Sequence, residues 1–328
     1  MSAADVIVIG AGALGSAVAA ELMLRGRRVV VLAPDETSAS ARAAGMIAPA
    51  FESVLDGPMG GHADLLKAAR DLWPNFAAAT GVRLHRDGAE WRGPDAEAMA
   101  ARLQALGFAA ELRDSTVYTP DDWRIDPGQA LAALAEGVVR RDGRLASLES
   151  REGRWQAETG AGETLRAAAV VLATGWAAPD CGLVLPPIQP IKGQAVRLEG
   201  PSPDRVVRGD GVYVAPALGG AIVGATMADG ESDLGVDPAV TETLLARARA
   251  ICPELEGARM AEAYAAVRGA SPDGLPYAGR IEPGVFVALA PRRNGWLLAP
   301  LVARVVADAL EGGGPDPITE AMDPGRFG

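Results

Sequence analysis

Three glycines near the start of the chain have the spacing Gly-x-Gly-x-x-Gly. The first allows a tight turn, the second lets backbone amides approach a pyrophosphate, and the third lets a helix pack closely on a strand. A helix that starts here directs unpaired N–H groups and the positive end of its dipole towards the phosphates. We therefore expect a dinucleotide site rather than a glycine-rich turn without a ligand. Its candidate residues are Gly10, Gly12, Ala13, Leu14 and Gly15.

The residues around this loop predict the elements that hold it. Val6 to Ile9 is an apolar, β-branched run typical of a buried parallel strand. An Ala/Leu-rich helical segment follows the glycines and ends at Gly26, and residues 27–32 predict a second parallel strand. Together these segments form one β-α-β unit.

The second strand ends without the acidic residue that commonly binds a ribose hydroxyl in such units. Ala33 stands at this position, and Asp35 and Glu36 follow in the loop. We expect one of these two acids, or backbone and water, to contact the ribose.

Two further stretches have the composition of ligand-contacting backbone. Residues 37–49 are mostly small, so their backbone can lie close to a ligand or to a tightly packed helix. Residues 168–175 predict another apolar parallel strand, which ends in Thr174 and Gly175. In open α/β sheets, ligands bind at this carboxyl end of the strands.

Composition excludes several classes of protein. The chain has 328 residues, 49% of them hydrophobic and 22% charged, as in an ordinary globular protein with two domains or one domain with an insertion. A net charge of −11 argues against nucleic acid or an anionic membrane as partner. The N-terminus lacks a charged signal-peptide region, and no apolar run reaches the ~18 residues that span a bilayer. We expect a cytoplasmic protein.

The few cysteines and histidines leave little for side-chain chemistry. Cys181 and Cys252 are far apart, and His62 and His85 lack metal-ligand spacing. We therefore expect no metal, no structural disulfide and no Ser-His-Asp triad. The chemistry is then expected to reside in a cofactor.

The middle of the chain predicts a second region. Residues 82–85 and 89–92 predict short strands around an Asp87-Gly88 turn, which indicates a hairpin. Residues 195–226 alternate as antiparallel strands with glycine turns between them. Further helices are expected over residues 63–80, 238–250 and 296–310, with a strand over 284–289. Without a repeat or a low-complexity linker, this region is expected to be an insertion.

Several motifs follow one another along the chain: the glycine loop and residues 43–49, 170–175, 213–216, 222–227, 268–276 and 293–300. In this order they resemble the D-amino-acid-oxidase superfamily of FAD amine oxidases, and most closely the glycine oxidases of thiamine biosynthesis. The resemblance extends from residue 4 to about 311.

The resemblance implies FAD, with its adenine and pyrophosphate on the β-α-β unit. The segment that carries Ala43, Ala44, Gly45 and Met46 would run along the isoalloxazine ring. Residues 293–296 would place a helix N-terminus and a guanidinium near the flavin N1/C2=O edge, where both would stabilise the negative charge of the reduced ring. These residues are Arg293, Asn294, Gly295 and Trp296. We expect non-covalent FAD, because no cysteine or histidine stands near Arg293.

The resemblance also implies a substrate site. The family's carboxylate-binding arginine maps to Arg268, an assisting arginine maps to Arg293, and a tyrosine that lines the pocket maps to Tyr213. A guanidinium suits a carboxylate because it is planar, bidentate and always charged.

Three positions depart from the family's pattern. Ala290-Pro291 replaces a common glycine-histidine pair, Tyr264 stands where the subfamily often has tryptophan, and Ala33 replaces the ribose acid. These departures leave the fold expectation unchanged but bear on which amino acid is oxidised.

We expect an α/β protein with a Rossmann-like FAD-binding domain and an inserted domain of antiparallel sheet plus helices. The expected FAD-binding domain covers residues 1–78, 125–182 and 264–328, and the substrate-binding domain covers 79–124 and 183–263. The expected reaction takes glycine to iminoacetate by hydride transfer from Cα, with oxygen as acceptor and hydrogen peroxide as product. This product would supply thiazole synthesis for thiamine.

Alternatives stay open at this point. The same fold serves sarcosine oxidases, D-amino-acid oxidases and dehydrogenases, and a non-catalytic flavin-binding protein is a further possibility. The expected partners are a small amino acid, molecular oxygen and a thiazole synthase that receives the product. The subfamily suggests a homotetramer.

Overall fold

The computed structural model describes residues 4–177, 179 and 181–327. Its α-helices are α1 (Ala13–Leu24), α2 (Pro49–Leu55), α3 (Ala63–Thr80), α4 (Ala96–Ala105), α5 (Pro127–Leu134), α6 (Pro238–Ile251) and α7 (Gly295–Leu310). The strands up to the middle of the chain are β1 (Val6–Ile9), β2 (Val29–Ala33), β3 (Met46–Ile47), β4 (Leu84–His85), β5 (Ala89–Trp91), β6 (Glu111–Arg113), β7 (Thr116–Thr119), β8 (Trp123–Ile125), β9 (Val139–Asp142), β10 (Leu145–Arg151), β11 (Arg154–Thr159) and β12 (Thr164–Ala167). The later strands are β13 (Ala169–Leu172), β14 (Gln189–Glu199), β15 (Val206–Gly209), β16 (Val212–Ala217), β17 (Gly220–Gly224), β18 (Ala228–Asp229), β19 (Arg259–Ala270), β20 (Tyr277–Glu282) and β21 (Val285–Leu289).

A six-stranded sheet in the order β20-β21-β13-β1-β2-β9 carries the glycine loop. β1 is parallel to both β2 and β13, and Ile9 aligns with Leu32 and Leu172 at the carboxyl ends. Alternate residues of β1 face opposite sides: Val8 packs in the core with α1 and α7, whereas Ile7 packs in the core with β11. This alternation is what a strand buried on both faces requires.

The second large sheet has nine strands and is mainly antiparallel, in the order β18-β14-β17-β16-β15-β5-β7-β6 with β19 on the other side of β14. β14 and β19 pair along most of their length, from Gln189 opposite Ala270 to Glu199 opposite Arg259. α6 packs against one face of this sheet through Leu244 and Ala248. The other face, which includes Ala195 and Tyr264, packs against α2 and α4.

The expected hairpin at Asp87-Gly88 is wrong. β4 pairs with β8 in a small three-stranded sheet, whereas β5 pairs with β7 and β15 in the large sheet. Gly88 has a φ of +76°, so the chain does turn sharply at this glycine, as the sequence predicts. The turn leads from one sheet to another because burial, not the turn itself, decides which strands pair.

The fold class expected from the sequence is confirmed: a parallel Rossmann-like sheet is combined with an antiparallel sheet and helices. The residue limits proposed for the two domains stay a prediction. No helix in the described ranges has both the length and the apolar character needed to cross a bilayer.

Candidate active site

In the glycine loop, neighbouring backbone atoms lie so close to Gly10 and Gly15 that neither position has room for a side chain. A Cβ on Gly10, whose φ is +109°, would overlap the carbonyl oxygen of Ala173 at the end of β13. A Cβ on Gly15 would overlap the carbonyl oxygen of Gly10. These two glycines therefore make the turn and the close packing of α1 that their spacing predicts.

The middle glycine leads to a residue that the sequence analysis did not single out. A Cβ on Gly12 would lie 3.1 Å from Oγ of Ser40. The same Oγ accepts a hydrogen bond of 2.9 Å from the N–H of Ala13, the first residue of α1. The N–H groups of Leu14 and Gly15 are among the first four, which a helix leaves without intrahelical partners. Ser40, in the small-residue segment, thus shares the helix N-terminus that a phosphate would approach.

The loop after β2 shows what surrounds Ala33. Glu36 forms an exposed ion pair of 2.6 Å with Arg144, and the side chain of Asp35 is exposed. The backbone N–H of Asp35 donates a 2.8 Å hydrogen bond to Oδ1 of Asp142. Asp142 is also the register partner of Ala33 in the adjacent parallel strand β9. A carboxylate missing from the end of β2 is therefore present on its neighbour, which spacing alone could not reveal.

Two buried polar side chains near the carboxyl ends of the strands lack partners among the described residues. They are the hydroxyl of Thr174, after β13, and the Nδ2 group of Asn294, which precedes α7. Gly175 next to the hydroxyl has a φ of +78°. Because buried polar groups are almost always hydrogen-bonded, these two groups fit a ligand with polar edges. The glycine loop and these unpartnered groups are together compatible with FAD.

The segment expected along the flavin lines a cavity. Ala43, Ala44, Gly45 and Met46 all border it, as do Asn294 and Trp296 from the other side. The indole N–H of Trp296 donates to the carbonyl oxygen of Ser40 at 3.1 Å, which ties the start of α7 to this segment. About 780 Å³ of space free of protein atoms, part of it open to solvent, adjoins these residues.

Backbone packing explains why a glycine is required at position 45. Its φ is +70°, and a Cβ would overlap the carbonyl oxygen of Ile125 and press on the ring of Pro127. This glycine lets the segment lie against β8 and the start of α5. The neighbouring alanines leave room on the cavity side.

Arg268 lies in the same cavity and has no counter-ion among the described residues. Its Nη1 is 3.4 Å from the carbonyl oxygen of Thr226 and 3.5 Å from Sδ of Met227, and no carboxylate of the described chain forms an ion pair with it. Burial lowers the pKa of this guanidinium, which nevertheless stays charged at neutral pH. A charge taken out of water without a partner is costly, so this position favours an anionic ligand.

Tyr213 lines the same cavity as Arg268. A Cβ on Gly224 would lie 2.6 Å from the Tyr213 hydroxyl, so this glycine on β17 makes room for the phenol ring. Burial raises the pKa of Tyr213, although Arg268 opposes the shift, and the phenol is neutral at pH 7. Within the described chain the hydroxyl makes no hydrogen bond, which leaves it free to donate to a ligand.

Arg293 is paired, unlike Arg268. Its Nε lies 2.8 Å from Oε2 of Glu52 and its Nη2 lies 3.2 Å from Oε1. Arg208 reaches the same Oε1 from β15 at 2.7 Å, and both Arg208 and Glu52 are almost fully buried. Glu52, on α2, also borders the cavity. The sequence analysis expected Arg293 here but did not find Glu52 or Arg208.

The loop that presents Arg293 has unusual backbone. Ala290 and Arg292 have φ values of +56° and +50°. The side chain of Arg292 pairs with Asp56, one turn beyond Glu52 on α2. The resemblance places glycine at the position of Ala290, and a left-handed residue explains that preference. Backbone of this kind is typical of functional sites.

Tyr264 occupies the position of the expected tryptophan. Its hydroxyl donates a 2.8 Å hydrogen bond to the carbonyl oxygen of Arg42, and the Arg42 guanidinium lies over its ring. Tyrosine at this position thus keeps an aromatic side chain in the cavity wall, and its hydroxyl forms a hydrogen bond to the small-residue segment. In the described part of the chain, no cluster of three or more histidine, cysteine or acidic side chains could hold a metal ion.

Comparisons with known proteins identify the family of this chain. The family model described as FAD dependent oxidoreductase (DAO) matches residues 5–309. The chain is 33% identical to the bifunctional protein ThiO/ThiG of Nostoc sp., an alignment that covers 96% of the chain and 54% of that protein. It is 30% identical to the glycine oxidase of Geobacillus kaustophilus, with 94% and 93% covered. The chain thus spans about half the length of the bifunctional relatives that it matches.

Solved structures show the same fold. The crystal structure of the glycine oxidase from Geobacillus kaustophilus superposes with a TM-score of 0.85 at 27% identity, and 99% of each chain is covered. The L-proline dehydrogenase from P. horikoshii has a TM-score of 0.82 at 21% identity, with 99% of this chain and 98% of that chain covered, and shows the fold alone. The family resemblance that the motifs predicted is confirmed.

Proposed function

Because the chain belongs to the DAO family of FAD-dependent oxidoreductases, we propose that it oxidises a small amino acid, with glycine as the first expected substrate. The observation that carries this proposal is the Arg268 guanidinium, which lines the cavity without a carboxylate partner in the described chain. A substrate carboxylate supplies the missing counter-charge through a bidentate contact. The similarity to glycine oxidases supports glycine over larger amino acids.

The residues around Arg268 complete the substrate site. The neutral hydroxyl of Tyr213 donates a hydrogen bond to the same carboxylate, and Arg293, whose charge is paired with Glu52, assists from the same cavity lining. Small side chains, among them Ala195, Ala225 and Ala266, form part of the remaining wall. These contacts hold the substrate in one orientation and convert binding energy into alignment of the reacting bond.

Bound FAD, which the family requires, would supply the redox chemistry: a hydride would leave the substrate Cα for the flavin, and oxygen would take up the two electrons to form hydrogen peroxide. We propose that the glycine loop holds its pyrophosphate, that Thr174 and Asn294 satisfy polar groups of the cofactor, and that the start of α7 lies at the flavin's electron-rich edge. The helix dipole and Arg293 would stabilise negative charge there. The bound cofactor is non-covalent, because the described cavity lining contains neither cysteine nor histidine.

The described lining of the cavity offers no free carboxylate or histidine as general base. Its one acidic lining residue in the described chain, Glu52, is held by two arginines. The substrate amine therefore enters in its neutral form, and the product is an imino acid. The alignments with two bifunctional relatives cover 54% and 55% of the length of those proteins. We propose that the product supplies thiazole synthesis by hand-over to a thiazole synthase, and that the protein is a homotetramer.

A panel of substrates tests the proposal. Purified protein is mixed anaerobically with glycine, sarcosine, D-alanine and D-proline, and bleaching of the flavin absorbance is followed before oxygen is admitted and peroxide is measured. Glycine is expected to bleach the flavin fastest and to yield peroxide. Bleaching without peroxide would identify a dehydrogenase, a preference for another amino acid would change the substrate, and no bleaching would leave a flavin-binding protein. Acid precipitation is expected to release FAD into the supernatant.

A further inference from the structure

The Glu52 carboxylate is the one negative charge on the described cavity wall, and it is shared between two guanidinium groups. Arg293 approaches it with Nε and Nη2, while Arg208 contacts Oε1 at 2.7 Å. Burial alone would raise the pKa of this carboxyl, but Arg293 and Arg208 outweigh burial, so its pKa lies below the usual value. Glu52 is ionised at neutral pH.

Glu52 is held in place from behind the cavity. Arg208 lies in β15, directly opposite Tyr213 of β16, and its Nη2 is 3.3 Å from Sδ of Met46. The N-terminus of α2 is capped by the buried side chain of Asp122, which accepts the N–H groups of Ala50 and Phe51. A carboxylate fixed on this helix cannot easily turn away from Arg293.

The charges of the cavity follow from these contacts. Arg42, Arg268 and Arg293 all reach its lining. Arg42 pairs with Glu262 and Arg293 with Glu52, whereas Arg268 has no anionic partner in the described chain. The site therefore presents one unpaired guanidinium to a ligand. A ligand with one carboxylate satisfies it, whereas a second anionic group would have to displace Glu52 from Arg293 or lie beside its negative charge.

We propose that Glu52 determines the charge of the substrate: by occupying Arg293 it restricts the site to amino acids with a single carboxylate. This inference rests on the proposed function, because it assumes that a carboxylate ligand binds at Arg268. It assigns Glu52 a role in specificity that differs from a direct contact with the reacting atoms. Specificity of this kind comes from an element that repels the wrong ligand as well as one that attracts the right ligand.

Binding of two unreactive acids tests the proposal. Acetate and malonate carry one and two carboxylates, and each is titrated into the FAD-loaded protein while the flavin absorption spectrum is recorded. The wild-type protein is expected to bind acetate more tightly than malonate. Glu52→Gln removes the charge while keeping the side-chain shape, and is expected to improve malonate binding relative to acetate by about tenfold or more, the usual size of a charge-assisted contact.

Two further variants separate specificity from folding. Glu52→Gln leaves the buried Arg208 without a counter-ion, which is destabilising. The double variant Glu52→Gln/Arg208→Met removes that charge as well and is expected to show the same shift towards malonate. Asp56→Asn is the matched control, since it removes a nearby carboxylate, just after the C-terminal end of α2, whose ion-pair partner is Arg292. Its ratio of acetate to malonate affinity is expected to equal that of the wild type.

The outcomes separate the two proposals. Wild-type protein that binds neither acid would overturn the carboxylate site at Arg268, and with it the proposed function. Wild-type protein that prefers acetate, with both Glu52 variants keeping that preference unchanged, would overturn only the role of Glu52. Loss of FAD from both Glu52 variants would assign the carboxylate to folding instead and would also overturn it.

Discussion

The guanidinium of Arg268 occupies the space in which Gly193 would carry a side chain. An added Cβ on Gly193 would lie 2.6 Å from Cζ of Arg268 and closer still to its two terminal nitrogens. The two residues lie on the paired strands β14 and β19, where Arg268 aligns with Ile191. The position of the substrate-binding charge therefore depends on a missing side chain on the neighbouring strand.

Gly193→Ala is expected to displace the Arg268 guanidinium and to lower kcat/KM for glycine by at least about tenfold, because a charge-assisted carboxylate contact is lost or misaligned. FAD content should stay unchanged. The matched control is Gly160→Ala, at a glycine where an added Cβ meets nothing within 4 Å. Steady-state peroxide assays of both variants check this. If both variants had the same activity, the position of the Arg268 guanidinium would not matter for glycine oxidation.

Gly12→Val is expected to reduce FAD retention to less than about a tenth of wild type. A branched side chain would press on Oγ of Ser40, 3.1 Å from an added Cβ, and would fill the approach of a pyrophosphate to the backbone. Gly12→Ala should retain an intermediate amount, since only one carbon is added. The measurement is the ratio of flavin to protein absorbance after gel filtration, with circular dichroism as a folding control. Full FAD retention by Gly12→Val would mean that the middle glycine serves packing alone.

Local patterns predicted the elements whose signals are local. The helix expected over residues 63–80 is α3 (Ala63–Thr80), and Gly81 follows it with a φ of +74°. The helix expected from residue 238 begins at Pro238, and the side chain of Asp237 caps it. Caps, glycines and apolar periodicity are written within a few residues of the element that they define.

The residues that the sequence did not reveal are those whose meaning depends on distant partners. In the sequence, Glu52 is an ordinary helical glutamate. Its role depends on two arginines that the fold places beside it, one in β15 and one in the loop before α7. Asp142 is exposed and lies beside Ala33 only because β9 joins the sheet next to β2. The false hairpin at Asp87-Gly88 has the same origin, because turn chemistry does not specify the partner strand.

Asp122 predicts a pH dependence of stability. Burial raises the pKa of its carboxyl to about 7, although Arg208 and the N–H groups of Ala50 and Phe51 oppose the shift. The unfolded chain releases this proton near pH 4, whereas the folded protein keeps it until about pH 7. The folded state therefore binds more protons between these values, and the free energy of unfolding should fall as pH rises, by roughly 1.4 kcal/mol per pH unit from this group.

Asp122→Asn isolates this contribution because the amide does not titrate. Urea unfolding of both proteins at pH 5 and pH 7.5 gives the difference in free energy of unfolding between them. The wild type is expected to lose stability relative to Asp122→Asn at the higher pH. A difference that stays constant, or that changes in favour of the wild type, would contradict a raised pKa at this site.

Arg268→Ala is expected to lower kcat/KM for glycine by roughly 10- to 150-fold or more, since hydrogen bonds to charged groups contribute about 1.5–3 kcal/mol. Arg268→Lys keeps the charge but loses the planar fork, so it should recover only part of the activity. FAD content should be equal in both variants and the wild type, because the cofactor's proposed contacts lie elsewhere. Amines without a carboxylate should lose far less than glycine, which separates carboxylate recognition from a general defect. A kcat/KM of Arg268→Ala within about threefold of wild type, less than ~0.7 kcal/mol, would remove Arg268 from the site and leave Arg293 as the carboxylate ligand.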